Sequence, residues 1–390
     1  MSDGCTLRIE VALVVVEKLA IIRLVCLIVP ESNCMRDKLV STIHKILQKE
    51  SEVHHYRGLM AETERILKNI EPERGVLSPR LRKLSKEYAR DVLGHKRYAP
   101  WLNVYAAVAG EFKEGWIPDN YHGSVVNPYL TASRACVPGV KTLSSKFIQH
   151  NNLPDIAYYL NGLFFSTARE VIAPKVVEEK IFDILNRDKR VVFKTDMSLR
   201  GLGVHIFTKE TFDIKKIPYI GNGVLQYYIK QHPSFMAIMP DSVATLRLTS
   251  VVEDSGIVSC RGAFMRFNRT GNTHCMWDTD VKVPIDLETG QFDEKGYMPD
   301  WRTISYHPDT NVFFKGNVIP RFKECIAFIT KAHQEVSFCR LIGWDLIVDE
   351  NEKIQLIELN CWHSDIKVSE ATQGPCFADM GWEKLWKRHL

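Results

Sequence analysis

Two carboxylates near the C-terminus are spaced in a way that can hold a divalent cation. Asp345 and Glu358 lie in IGWDLIVDENEKIQLIELN, where two apolar runs flank the polar turn DENEK. With the turn centred between Asn351 and Glu352, Asp345 falls directly opposite Glu358 in a β-hairpin. Two carboxylates opposed across a hairpin repel each other. The sequence therefore predicts a compensating positive charge at this position.

Magnesium fits such a site because it takes oxygen ligands, few of them from protein, and leaves room for phosphate oxygens. In the same register Asn360 lies opposite Gly343 and shares a face with Glu358. Glu358 can bridge two ions, Asn360 adds a neutral oxygen, and Gly343 leaves space. The alternative is a solvated hairpin with acids on its wet face. Apolar residues on both faces favour the metal: Ile342, Leu346, Ile347, Val348, Leu356, Ile357 and Leu359.

A basic strand followed by a glycine loop is the second chemical signal. Lys194 lies within the β-rich run RVVFKTD, where its neighbours predict burial and hence a need for an anionic partner. The loop that follows contains Ser198, Arg200, Gly201 and Gly203. Glycines here allow positive φ and close backbone approach to a phosphate. A plain hairpin turn is the alternative, and the spacing is not that of a Walker A motif.

Arginines on two later strands are candidates for phosphate binding. In VATLRLTSVV, alternation places Thr245, Arg247 and Thr249 on one face, and the next strand carries Arg261 and Arg266. The planar guanidinium suits phosphate because it donates two parallel hydrogen bonds. We favour a functional role for Arg247 and a solvated sheet face for Arg261.

The run GVLQYYIKQH, residues 223–232, is apolar and aromatic. It can supply the wall and the backbone edge that hold a nucleobase, through Gln226, Tyr227 and Ile229. An ordinary core strand has the same composition and remains the alternative.

The elements that position these residues change character along the chain. Helical spacing predicts helix over 37–69 and over 79–93 with Ser78 as its cap, whereas 96–135 looks irregular. A helix-like stretch at 142–150 follows. Beyond it we expect helices at 168–187 and 320–337 between β-rich runs, which are 190–196, 203–207, 224–230, 244–252, 257–267 and 339–359. The fold class is α+β, with no internal repeat.

Composition narrows the function classes. The net charge of +4 on 98 charged side chains argues against a dedicated nucleic-acid binder. None of the ten cysteines forms a CxxC pair, so neither a zinc site nor a thioredoxin-like motif is supported, and a reducing cytosol is the simplest compartment.

Residues 11–29 hold three apolar runs that Glu17, Lys18 and Arg23 interrupt. Each charge at a bilayer centre costs roughly 2.5–3.5 kcal/mol, so a membrane span is disfavoured. We expect an element buried on the protein's own core or facing a partner, with peripheral membrane contact as the alternative.

Taken together, these features resemble the ATP-grasp superfamily over residues 138–361. The resemblance rests on Lys141 before a stretch ending in Asn-Leu-Pro, on Lys194 in VVFK, on SLRGLG and LQYYI, and on the final acid, acid-x-Asn set. The chain is more closely similar to the sugar-transfer-associated ATP-grasp proteins of bacterial surface-polysaccharide clusters. The segments that carry this are IKQHPSFMAIMPDSVATLRLTS, AFMRFNRTGN, VPIDLETGQF and IGWDLIVD.

The chain departs from the family pattern where a second substrate should sit. After Asn360, Cys361, Trp362, His363 and Ser364 replace the Pro-Gly turn of many ATP-grasp ligases, and THCMWDTD replaces an Asn- and Gly-rich stretch. The first 115 residues also lack the usual alternating β/α preliminary domain. Cys361 and His363 beside the expected metal site are open to either packing or catalysis.

The resemblance implies a mostly helical region over 1–115, a small ATP-grasp lobe over 116–222 and a C-terminal lobe over 223–390. ATP would lie between the lobes with two Mg²⁺ ions held by the acid, acid-x-Asn set. Lys141 and Lys194 would contact the α- and β-phosphates, the loop would cover the γ-phosphate, and Arg247 with Arg266 would stabilise developing charge.

The implied reaction is carboxylate–amine ligation through an acyl phosphate. The substrates would be small molecules, such as a uronic acid or other sugar-linked acid and an amino acid or amine, in cell-surface polysaccharide biosynthesis. The enzyme would be cytoplasmic, at most associated with the inner membrane face, and would bind no nucleic acid. A phosphotransferase on the same fold and a nucleotide-dependent binding protein are the alternatives.

Overall fold

The computed structural model describes residues 34–131, 137–148, 152–198, 201–269, 271, 279–336, 338–361 and 364–389. The chain forms two compact units, Met1–Arg65 and Ile66–Leu390. Within the first unit, residues 34–65 belong to one long helix, α1 (Cys34–Arg74). The apolar element predicted at 11–29 lies outside the described residues. No described helix combines the length and the apolar character that a bilayer crossing requires.

The second unit begins with short helices that pack against one another. They are α2 (Pro79–Asp91), α3 (Ala99–Ala109), α4 (Asp119–Tyr121) and α5 (Asn127–Leu130), with a 3-10 turn at Lys96–Tyr98 and a π-helical stretch at His122–Val126. Helix α2 starts as predicted, because the Ser78 hydroxyl accepts a 3.2 Å hydrogen bond from the Leu81 N–H. This contact satisfies one of the free donors of the first turn.

Helix α3 lies within the segment that was predicted to be irregular, and that prediction was wrong. Its sequence APWLNVYAAVA is almost wholly apolar, and nine of its eleven residues are buried. A helix that is apolar all round carries no amphipathic stripe to recognise. It ends at Gly110, whose φ of 76° gives the left-handed conformation typical of a helix C-terminus.

A six-stranded antiparallel sheet follows, in the order β3-β2-β1-β6-β4-β5. Its strands are β1 (Asp155–Leu160), β2 (Leu163–Ser166), β3 (Val171–Ile172), β4 (Val191–Thr195), β5 (Val204–Phe207) and β6 (Gly223–Tyr227). Strands β4 to β6 match the predicted β-rich runs, whereas β1 to β3 were not predicted. Apolar residues of α7 (Pro174–Asp188), among them Val177, Ile181 and Leu185, form the core with the sheet. The short helices α6 (Ser144–Phe147) and α8 (Ile217–Ile220) complete this part.

A seven-stranded antiparallel sheet occupies the C-terminal half, in the order β11-β10-β9-β8-β7-β12-β13. Its strands are β7 (Thr245–Val252), β8 (Val258–Phe267), β9 (Val281–Pro284), β10 (Gly296–Tyr297), β11 (Thr303–Ile304), β12 (Leu341–Val348) and β13 (Ile354–Asn360). Helix α9 (Pro233–Ile238) precedes the sheet, and α10 (Phe322–Glu335) and α11 (Ile366–Gln373) pack on it. A run of helices followed by two antiparallel sheets with their own helices gives the predicted α+β class.

Candidate active site

The two predicted metal carboxylates do face each other. Strands β12 and β13 pair so that Asp345 lies opposite Glu358 and Gly343 opposite Asn360. Near the turn the register differs by one residue, since Val348 pairs with Ile354, and a bulge at Ile357 restores the pairing. The turn is therefore centred on Asn351, half a residue earlier than predicted, and the bulge cancels this difference.

A buried arginine already balances one of these carboxylates. Arg247 on β7 is the cross-strand neighbour of Asp345 and donates two hydrogen bonds to it, Nε to Oδ1 at 2.6 Å and Nη2 to Oδ2 at 2.9 Å. Asn360 Nδ2 donates to Asp345 Oδ2 at 3.2 Å. Both charged side chains are only 6% exposed. A bidentate, buried pair of this kind fixes both groups in place.

The second carboxylate meets the first predicted phosphate-binding lysine. The Lys141 ammonium lies 3.2 Å from Glu358 Oε1 and also donates to the carbonyl and hydroxyl oxygens of Ser198, each at 3.1 Å. Asp196, which was not singled out from the sequence, accepts hydrogen bonds from the backbone and hydroxyl of Thr142 at 2.9 and 2.7 Å. These contacts hold the Lys141 segment against the end of β4.

Lys194 reaches the same place from β4. Its ammonium donates to the carbonyl of Ile357, the bulged residue of β13, at 3.2 Å. The pKa of Lys194 is lowered to about 8, mainly because the side chain is buried; Glu358 opposes this shift and neighbouring Lys141 adds to it. A half-buried lysine with a depressed pKa gains most from an anionic ligand, because such a ligand restores the charged form.

The glycine loop between β4 and β5 is tightly built. A Cβ on Gly203 would lie 2.0 Å from Thr195 Oγ1 and 2.3 Å from Ser198 Cβ, so no larger residue fits without displacing the loop. Gly201 has a φ of 81°, which glycine adopts at no steric cost. Arg200 lies outside the described residues.

The segment predicted to hold a nucleobase uses part of its hydrogen bonding within the protein. The side chain of Gln226 donates to Asp155 Oδ1 at 2.7 Å, and the Tyr227 N–H donates to the Pro154 carbonyl at 2.8 Å. Ile229 packs against the core of the seven-stranded sheet. Burial raises the pKa of Asp155, whose role as the partner of Gln226 was not predicted.

These groups line one cleft. The cleft is narrow, with a cavity volume of about 10 Å³, and both lysines, Glu358 and Gln226 border it. Its other lining residues are Pro138, Ser144, Leu153, Leu356, Ile357 and Leu359. Cationic groups at one end and apolar ones along the walls match the needs of a ligand with an anionic tail and an apolar body.

A second group of charges lies on the opposite side of Asp345. Arg266 Nη1 is 4.0 Å from Asp345 Oδ2, and its Nε donates to the fully buried Asp280 at 2.5 Å. Lys282 also contacts Asp280, at 3.0 Å. Burial alone would raise the pKa of Asp365, but Lys367, Lys282, Arg247 and Arg266 together hold it at about 2.

Helix α11 comes close to the site because the sheet carries glycines beneath it. A Cβ on Gly343 would lie 3.1 Å from Ser364 Cα, and one on Gly262 would lie 2.4 Å from Ser369 Oγ. Arg247 Nη1 donates to the Ser364 carbonyl at 3.2 Å, which ties the start of this helix to the site.

Helix α11 is also bound to the segment that follows α3. Glu370 accepts hydrogen bonds from the Ile117 N–H at 2.7 Å and the Cys376 N–H at 2.8 Å, and its own carbonyl accepts from Trp116 Nε1. Burial raises the pKa of the Glu370 carboxyl to about 8, against the effect of these backbone donors.

Cys361, one of the two residues open to a catalytic role, packs into the core. It is 2% exposed, and contact with Cys339 together with burial raises its thiol pKa well above the usual value. A protonated, inaccessible thiol is a packing group. His363 lies outside the described residues.

The comparison with protein families agrees with this geometry. Residues 220–376 match the model described as sugar-transfer associated ATP-grasp. This part of the chain is similar to that family. It contains Arg247, Arg266, Asp345, Glu358 and Asn360, and the ATP-grasp fold predicted from the sequence is confirmed. No curated protein matches the chain.

Several solved ATP-grasp structures align with the chain at low identity. An ADP complex of purK, N5-carboxyaminoimidazole ribonucleotide synthetase, is 10% identical over 57% of this chain and 44% of its own, with a TM-score of 0.34. The ligase PsnB in complex with minimal precursor, Mg and ADP is 12% identical over 65% of this chain and 62% of its own, with a TM-score of 0.35. The D-alanine-D-alanine ligase from Coxiella burnetii is 12% identical over 65% of this chain and 58% of its own, with a TM-score of 0.36. The chain thus spans less than two thirds of each, and the assignment rests on residues 220–376.

Proposed function

We propose that the protein is an ATP-dependent carboxylate–amine ligase that forms an acyl-phosphate intermediate. One observation carries the proposal: Lys141, Lys194 and Glu358 border a single cleft, with Asp345 paired beside Glu358. Cations for phosphate and carboxylates for metal are thereby adjacent, which is what phosphoryl transfer requires. We place the phosphate-binding loop in a small lobe over 116–222 and the carboxylates in a lobe over 223–390, behind a helical region over 1–115.

The two lysines suit the α- and β-phosphates of ATP. Lys141 donates a hydrogen bond to Ser198, where the glycine loop begins. Lys194 lies in β4, the strand that precedes this loop. Each now contacts an oxygen of β13, so each has a protein partner that a phosphate oxygen can replace. Ser198, Arg200, Gly201 and Gly203 would cover the γ-phosphate, while Gln226, Tyr227 and Ile229 would border the base.

Asp345, Glu358 and Asn360 have the chemistry for magnesium. All three supply oxygen, and no hydrogen bond occupies Asn360 Oδ1 among the described residues. The described part of the chain has no group of three or more His, Cys, Asp or Glu side chains that could hold a metal ion. Two carboxylates and an amide leave coordination positions for phosphate and water, as magnesium prefers. Two bound ions would neutralise phosphate charge and orient the γ-phosphate.

The remaining chemistry uses positioning and charge. A substrate carboxylate oxygen attacks the γ-phosphorus, the bond to the β–γ bridging oxygen breaks, and ADP leaves. An amine then attacks the acyl carbon, phosphate leaves, and the nitrogen loses a proton. Arg247 orients Asp345, and Arg266, 4.0 Å away, is placed to stabilise developing negative charge. No protein nucleophile takes part, which agrees with the buried, protonated Cys361.

We infer the substrate class from the family description. A sugar-transfer associated ATP-grasp protein fits a small-molecule carboxylate such as a uronic acid, joined to an amino acid or amine in cell-surface polysaccharide biosynthesis. The reaction would take place on the cytoplasmic side, where ATP is available.

A matrix of sugar acids and amines, scored by ADP release and by mass spectrometry, tests the proposal. The expected result is ADP, phosphate and a new amide that all depend on both substrates. Glu358→Gln serves as the inactive control. A phosphorylated hydroxyl without an amide would show a phosphotransferase instead. ATP binding without ADP release on any pair would indicate a binding protein.

A further inference from the structure

The positive charge of the chain is concentrated in two short segments, 80–97 and 382–389. Over residues 80–97 there are seven Lys and Arg against two acids. Residues 382–389 add Lys384, Lys387 and Arg388 against Glu383. The two segments carry a net charge of +7, whereas the whole chain carries +4, so the remainder is net negative at −3. None of the residues placed in the candidate active site lies in these two basic segments.

The basic residues of α2 form a stripe. Arg80, Lys83, Lys86 and Arg90 fall within about 120° of the helix circumference at 100° per residue. All four are exposed, Lys83 to 75% and Arg90 to 61% of its side chain. Lys83 lies 3.9 Å from Glu87, and Arg90 pairs with Asp91 at 2.6 Å.

The other basic residues are fixed beside this helix. The Trp386 indole N–H donates to the Val92 carbonyl at the end of α2 at 2.8 Å, and its ring lies against Gly94. Lys96 and Arg97 follow in the exposed 3-10 turn. The C-terminal helical segment Trp382–His389 and α2 therefore carry adjoining basic surfaces, which we call the basic face.

We propose that the basic face docks the protein on the surface of an anionic phospholipid bilayer. Clusters of four to eight Lys and Arg are attracted by the surface potential of anionic lipids within about one Debye length. Two exposed side chains beside the face suit the lipid headgroup region. Val76, next to the start of α2, is 72% exposed, and Tyr129, which contacts Arg388, is 39% exposed. Tyrosine is enriched at that depth because its ring is apolar and its hydroxyl polar.

A nucleic-acid partner fits less well. Non-specific binding to single strands needs exposed aromatic rings on which bases stack. Tyr88, Tyr98 and Tyr121 near the basic face point inward, being 8%, 4% and 0% exposed, whereas Tyr129 is exposed. The face therefore offers charge with one exposed ring rather than a run of rings on which successive bases stack.

Vesicle co-sedimentation of the full chain tests this proposal without any need for ATP or substrate. The probe is a vesicle of phosphatidylcholine with an anionic phosphatidylglycerol fraction, compared with phosphatidylcholine alone. We expect partitioning at least about tenfold higher on the anionic vesicles at roughly 0.1 M salt, and its loss at about 1 M.

The variant is Arg80→Gln/Lys83→Gln/Lys86→Gln. The matched control, Lys175→Gln/Lys295→Gln/Lys315→Gln, removes the same charge from exposed positions elsewhere. The first should lower partitioning at least about tenfold, since each basic residue contributes about fivefold, and the control should leave it unchanged. Circular dichroism and melting curves show whether the variant is folded. If it is not, the salt dependence of vesicle binding by the unaltered protein still tests the proposal.

Three results would overturn the proposal. The first is equal partitioning of the unaltered protein on neutral and anionic vesicles. The second is an equal loss in the variant and the control, which would show an effect of total charge. The third is binding to a single-stranded oligonucleotide that depends on Arg80, Lys83 and Lys86 without any preference for anionic vesicles.

Discussion

Replacing Lys194 by Met removes a charge while keeping the length of the side chain. The pKa of Lys194 is about 8 in the folded protein, against 10.5 for an ordinary lysine. This difference corresponds to at most about 3 kcal/mol of destabilisation at neutral pH. Because Lys194 is only half-buried, solvent screening reduces the figure to roughly 1–2 kcal/mol. The variant also loses the hydrogen bond to Ile357, worth about 1 kcal/mol, so its stability at pH 7 should change little.

The pH dependence of stability gives the first measurement. The folded pKa lies below the unfolded one, so the unfolded state binds more protons between pH 8 and 10.5. The free energy of unfolding of the unaltered protein should therefore gain from this group as pH rises through that range, and lose the gain as pH falls through 8. Urea denaturation of Lys194→Met should lack this component.

ATP binding gives the second measurement. A neutral Lys194 cannot pair with phosphate, so the rise in melting temperature on adding MgATP should shrink above pH 8 and be nearly absent in Lys194→Met at every pH. Lys180→Met is the control, because Lys180 Nζ also donates to a strand carbonyl of the same sheet, that of Ile156 at 3.4 Å, away from the cleft. An unchanged MgATP shift in Lys194→Met would refute the assignment and leave Lys194 a structural cation.

Three further changes test other parts of the site and its supports. Glu358→Gln should nearly abolish ADP release while the free energy of unfolding changes by no more than about 1 kcal/mol, because relief of carboxylate repulsion offsets the lost ion pair with Lys141; ADP release at the normal rate would contradict the metal assignment. Gly201→Val/Gly203→Val should leave a folded protein by circular dichroism that has lost ADP release, since a Cβ at 203 collides with Thr195, and a normal rate would show a plain turn. Glu370 has a folded pKa of about 8, above its unfolded value, so its contribution to stability is complete below about pH 4.5 and is lost as pH rises through 8. In urea denaturation, Glu370→Gln should reduce the decline of the unfolding free energy with pH. An unchanged decline would show that another group titrates in this range.

The local parts of the site were accessible from the sequence because they depend on period and turn. Alternation within IGWDLIVD and IQLIELN fixed which residues share a face, and a polar turn between them fixed the approximate register. The predicted pairing of Asp345 is correct because two differences from the prediction cancel. The turn is centred half a residue earlier, and the bulge at Ile357 shifts the register back. Neither departure leaves a mark in the order of apolar and polar residues.

Contacts between distant segments were not accessible. The partner of Asp345 is Arg247, 98 positions away, and the pairing requires that β7 lie next to β12. Without knowledge of that adjacency, the sequence predicted that Asp345 and Arg247 each bind an external ligand. Similarly, Glu370 meets Ile117 across 253 positions, so the support that the helical region gives to α11 appears only in the folded chain. Helix α3 was missed because a fully buried helix has no polar face.

The bulge at Ile357 also separates the hairpin into two halves with different tolerance. On the site side of the bulge, residues 343–345 pair with 358–360. On the loop side, residues 346–348 pair with 354–356 in a register that differs by one residue. Changes in loop length at 351–352 would therefore be absorbed before they reach the carboxylates. Relatives can be expected to differ by insertions and deletions at this tip, and a short peptide tag or a fluorescent label inserted there should leave catalysis intact.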